Sequence, residues 1–168
     1  MAYTQQWREP IKVIADLLSN ELELDSSRIF IYNDGRPLPK DKGLYIVISI
    51  NNTQIFRNTD RFVKALDKEE FNQNFKQTII VSCISQDSSA RQMANEVVMA
   101  LSSIYSEQLQ ERYACHIARV SHITDASFLE KTDMLTRMDV SVNVLSWKKK
   151  IKNADYFTVQ DVESIFES

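Results

Sequence analysis

The sequence predicts an α+β fold: a mostly antiparallel β-sheet, two long helices packed on one face, and a short C-terminal helical segment. Three observations carry that expectation. Apolar residues recur at three- and four-residue spacing in two separate stretches. Runs of β-branched and aromatic residues come in groups instead of each being followed by a helix. One run alternates apolar and polar side chains, as a half-exposed antiparallel strand does. The 168 residues make one domain, 1–168, long enough to bury about 70% of the unfolded surface.

The first helix rests on Ile11, Ile14, Leu17 and Leu18, with Val13 widening the apolar stripe. Pro10 suits its first turn, where the missing N–H costs nothing. Asp25-Ser26-Ser27 ends the unit and leads into a strand over 28–32. Asn33-Asp34-Gly35 signals a turn, and Pro37 and Pro39 forbid a regular central strand after it. Residues 44–50 read as a covered strand, followed by weaker strand segments at 53–56 and 61–66. Residues 67–77 are polar and charged, pinned only by Phe71 and Phe75. They read as a mobile connection or as the tip of a long hairpin, with 60–77 as the wider bounds.

A strong strand resumes at 78–85, and Gln86-Asp87-Ser88-Ser89 offers short oxygens to cap a helix. That second helix places Met93, Val97, Leu101 and Ile104 on one stripe, with 107–112 as its polar exit. A strand is expected over 115–123. The clearest one covers 134–147, where Met138, Val140, Val142 and Val144 alternate with Asp139, Ser141 and Asn143. A lysine cluster follows, and 159–166 forms the short amphipathic end.

Composition removes several function classes. There are 2 glycines, where an average usage of about 7% would give roughly twelve. Gly35 and Gly43 cannot build a GxGxxG turn or a Walker A loop, so the common glycine-rich nucleotide sites are excluded. Twenty basic against 23 acidic residues give −3, which does not favour a general nucleic-acid binder. The longest apolar run, 44–48, is far short of the ~20 residues of a membrane span. The first residues show no secretory pattern. Cys83 and Cys115 lack CxxC spacing, so a reducing cytosol is the simpler setting.

Chemistry-bearing residues do not converge. His116 and His122 share a strand face, but Cys115 points to the opposite face, so three metal ligands are not assembled. The same divergence argues against a Cys115–His116 nucleophilic pair. Glu69 with Glu70, Asp133 with Asp139, and Asp155 with Asp161 all sit in polar segments and read as solvated surface. No GxSxG, HExxH or EF-hand loop occurs. The expectation is therefore no catalytic residue, no metal and no cofactor.

Two features invite a binding role. Lys148, Lys149, Lys150 and Lys152 concentrate positive charge that contacts phosphate or, the favoured reading, keeps a sheet edge from unwanted pairing. Trp147 is either a core plug or an interface anchor. With Phe71 and Phe75, these residues form the predicted interaction surface.

The order of parts resembles the neck or tail-terminator proteins of long-tailed bacteriophages. The residues carrying the resemblance are 10–18 in the first helix, 78–82 with 90–97, and the strand 137–144 leading to Tyr156 and Phe157. It covers roughly residues 10–166. Such a resemblance implies a non-enzymatic structural protein of a virion or prophage, without cofactor. It implies a homo-oligomeric ring, commonly of six, that ends tail growth and joins the tail to the head connector. Its partners would be itself, the tail tube protein and a head-completion or connector protein. DNA would pass through without specific binding, and assembly would occur in the host cytoplasm. The residues alone leave open another head-completion or tail-assembly component, a small cytosolic interaction domain, and an enzyme of unrecognised type.

Overall fold

The computed structural model describes residues 6–63, 68–120, 122–130 and 133–153. Helix α1 spans Pro10–Glu21 and buries Ile11, Val13, Ile14, Leu17 and Leu18, the stripe its spacing predicts. A single 3₁₀ turn, Ser26–Arg28, is capped by the Asp25 carboxylate, which accepts from the Ser27 N–H at 2.8 Å. It feeds β1, Ile29–Ile31. Two very long strands follow, β2 (Tyr45–Val63) and β3 (Lys68–Ser85). Helices α2 (Ser89–Leu101) and α3 (Ile104–Arg112) come next, then three short strands: β4 (Cys115–Ile117), β5 (Ile123–Asp125) and β6 (Phe128–Glu130). The chain closes its sheet with β7, Asp133–Asn153.

The strands run in the order β1-β2-β3-β7-β4, with β5 and β6 also pairing β7. β7 is antiparallel to β3 along the whole of β3, from Lys68 opposite Asn153 to Ser85 opposite Thr136. One face of this sheet supplies Ile46, Ile48, Ile79, Val81, Cys83, Val140, Val142 and Val144 to a core shared with the buried residues of α1 and α2. Burial at every second position is what a strand requires when one face is covered.

This architecture corrects the predicted fold class in three respects. Among the described residues 49% lie in strands and 27% in helices, so the sheet dominates. The sheet is mixed, because β1 pairs parallel with β2, Ile29 opposite Ile46. The turn at Asn33–Gly35 is present, with φ of 66° and 80° at those two residues. The chain then uses the proline-containing stretch to cross back, and a parallel neighbour needs a crossover of that kind of length. Finally, the described residues form three helices in place of two long ones. The second is interrupted at Ser102–Ser103, where Ser103 is extended and its hydroxyl accepts from the Ser106 N–H at 3.1 Å, capping α3. Ile104, assigned by spacing to the core stripe, is consequently 75% exposed. The C-terminal segment 159–166 lies outside the described residues.

Two further boundaries moved. The strand expected over 115–123 is two strands, β4 and β5, each laid separately on β7. The weak segments at 53–56 and 61–63 belong to continuous β2, which ends at Val63, with register shifts at Ile50/Asn52 and Ile55/Arg57; the rest of the segment expected over 61–66 lies outside the described residues. Such bulges bend a strand and break its period of two.

Candidate interaction surface

Core burial stops at Ile48 in β2, at Phe75 in β3 and at Ser146 in β7. From that level the three long strands continue together as an arm, residues 51–63 of β2, 68–77 of β3 and 146–153 of β7, whose root still buries Phe75, Gln77 and Ser146. Ten residues of β3 give it a length of roughly 30 Å. The segment 68–77 is thus the distal part of a hairpin, paired on both sides. Among the described residues β1 covers β2 only at Ile46–Ile48, and β4 covers β7 only at 144–146. Among the described residues nothing pairs with the outer edge of β7 from Lys148 to Asn153, where lysine side chains hinder pairing with a stray strand.

Register assembles a groove on the arm. Arg57, Asn74 and Trp147 lie side by side across the three strands, and so do Thr59, Asn72 and Lys149. Trp7, Ala114 and Lys148 complete the lining of a groove of about 540 Å³. The chain is anchored on the C-terminal side of Trp7: Arg8 pairs with Asp16 at 2.6 Å and lies 5.4 Å from the centre of the Tyr113 ring. The Lys148 ammonium sits 4.3 Å from the Trp7 ring centre, a cation–π arrangement that keeps the charge at the groove. Lys149 meets Glu70 at 2.9 Å, and Lys152 meets Glu69 at 3.4 Å while standing over Phe71. These exposed pairs position side chains but contribute little stability, about 0–1 kcal/mol each.

The predicted surface residues therefore separate. Trp147, Lys148 and Lys149 come together in the groove, and Phe71, Lys150 and Lys152 lie further along the arm. Phe75 is only 7% exposed and closes the arm root. Trp147 is 42% exposed, more covered than a surface residue and less than a core plug. Sequence reasoning missed Trp7, Arg57, Thr59, Asn72 and Asn74. Only strand register unites them, although the aromatic Trp7 ahead of the helix was a usable signal. A second, more open groove of about 780 Å³ lies between α3 and β4, with Glu107, Gln110, Glu111, His116 and Arg119 in its lining and Trp147 at its border.

The residues weighed for catalysis stay apart. Cys115 is buried and His116 beside it is exposed. Burial pushes the Cys83 thiol up to about 12 and the Cys115 thiol up to about 11, the opposite of an activated nucleophile. Glu69 and Glu70 are committed to lysines, and Asp139 to Arg137 at 2.9 Å. Among the described residues no group of three or more His, Cys, Asp or Glu is placed to hold a metal, and no helix is long and apolar enough to cross a membrane.

The profile of the phage neck terminator protein family matches residues 11–166, nearly the whole chain. The chain belongs to that family. No curated protein matches it. Neck terminators are structural proteins of the phage particle, placed at its neck, where they contact other head and tail proteins.

Proposed function

We propose that this neck terminator forms a homo-oligomeric ring, of six copies, on the end of the tail tube. The ring stops tube growth and presents its other side to the head-completion or connector protein. It is assembled in the host cytoplasm, and DNA passes through it without specific binding. The observation that carries this reading is the arm: strands long enough to extend past their own core, ending in aromatic and basic side chains. A chain that builds such a projection has a surface suited to a neighbour. The contacting residues are Trp147, Lys148, Lys149, Lys150, Lys152 and Phe71, with Phe75 fixing the root from which they project.

Light scattering coupled to size exclusion tests it. A discrete mass near six copies of the 19.5 kDa subunit, alone or after addition of purified tails, is expected, with rings on tail ends in negative-stain images. A chain that is monomeric at every concentration and absent from tail ends would refute the proposal.

A further inference from the structure

We infer that the basic groove of the arm receives the α2–α3 corner of a second copy of this chain. The inference rests on the ring reading and specifies its subunit contact.

Charge is segregated along this chain. Arm residues 51–63, 68–77 and 146–153 carry eight basic and three acidic side chains, a local +5 in a chain of −3. Everything outside the arm therefore sums to −8. A basic projection and an acidic remainder in one chain attract between copies, and steering of that kind also speeds encounter.

The corner supplies side chains of matching chemistry. Met99 and Ile104 flank the break at Ser102–Ser103 and are 65% and 75% exposed, among the most exposed large apolar side chains described. Glu96 stands one helical turn before Met99, and Glu107 one turn after Ile104, so each acid shares a face with its apolar neighbour. The groove mirrors this pattern: half-exposed Trp7 and Trp147 next to Arg57, Lys148 and Lys149. Two apolar side chains entering between aromatic rings, with carboxylates meeting the cations at the rim, have the anatomy of a protein interface.

A polyanion such as DNA fits less well. Exposed Met99 and Ile104 would be left without a role. Where each groove takes one neighbour's corner and that neighbour's groove takes the next copy's, the contact is heterologous and propagates head to tail until it closes. Using the arm's cations this way also leaves the DNA passage without a basic lining.

Sedimentation velocity on charge-reversed chains tests the pairing. One variant carries Arg57→Glu with Lys149→Glu; the other carries Glu96→Lys with Glu107→Lys. Circular dichroism establishes that both fold, and Arg57→Glu alone serves if the double arm variant does not. Like charges facing across an interface predict that each variant alone associates at least about 100-fold more weakly than the natural chain. Mixed in equal amounts they should assemble again, since every reversed groove then meets a reversed corner and every natural groove a natural one. A mixture that stays monomeric overturns the inference, as do variants that assemble like the natural chain. If the arm variant instead loses affinity for duplex DNA while its association is unchanged, the groove is a polyanion site. Loss of assembly on deleting residues 154–168, with no rescue on mixing, would assign the groove to that segment. A natural chain that never associates, alone or on tails, removes the ring reading itself.

Discussion

Replacing Trp147 by alanine separates the two jobs this side chain performs. At 42% exposure, and with a tryptophan offering up to roughly 250 Å², about 150 Å² is covered within the subunit and roughly 100 Å² is left for a partner. The covered part corresponds to nearly 4 kcal/mol at 25 cal/mol per Å², reduced to about 2–3 kcal/mol because unfolded chains already bury some surface. For a chain of this size the melting temperature should fall by about 5–10 °C, with the folded far-UV signal intact at 25 °C. Covering the remaining area in an assembly adds about 2.5 kcal/mol per contact, so association should weaken by about 70-fold. Thermal melts and sedimentation velocity on the same samples read both numbers. Unchanged association alongside the stability loss would refute the anchor role and leave Trp147 as a support for the arm root. Collapse of the fold at 25 °C would make it a core residue.

The core makes its own demand: Ile79→Ala, at a position with no exposure, should cost about 2–5 kcal/mol in urea unfolding. Neither thiol should react with a disulfide reagent at pH 8 while the chain is folded, since burial pushes Cys83 and Cys115 up to about 12 and 11; both should react promptly in denaturant. Acid should destabilise the fold through its turn aspartates. The Ser89 hydroxyl and N–H hold the Asp87 carboxyl below the ordinary 3.8, Ser127 does the same for Asp125, and the Arg28 guanidinium for Asp41. The unfolded chain then binds more protons in that window, so this contribution is complete above pH 3.8 and is lost as pH falls below it. Melts between pH 6 and 3 should show the decline, smaller for Asp87→Asn.

Sequence periodicity was informative wherever one face of an element is covered. Val140, Val142 and Val144 betray β7 because α2 and the sheet core need them on one side. The same strand was lost after Trp147, where none of the described helices lies beneath it and lysines occupy both faces. The bulges near Ile50 and Ile55 had a similar effect on β2, splitting one strand into apparent fragments. Ile104 failed for a different reason. Its spacing from Met93, Val97 and Leu101 fits a continuous helix, and only the extended Ser103 turns it outward. Of the groove, the tryptophan and lysines of β7 were visible as a local cluster. Arg57, Asn74 and Thr59 join them through pairings between residues far apart in the chain, which composition does not encode.

The placement of β7 bears on how the chain acquires its fold. This strand lies between β3 and β4 and also holds β5 and β6, so it unites the sheet, and among the described residues it is the last element synthesised. Until residues 133–153 leave the ribosome, β3 keeps an unpaired edge 18 residues long, including Ile79 and Val81. Contacts that must wait for so distant a segment form slowly, and bare strand edges invite association with other nascent chains. The lysines that close β7 thus accompany the step at which that hazard ends, and a subunit becomes competent to join its neighbours only once synthesis has passed Asn153.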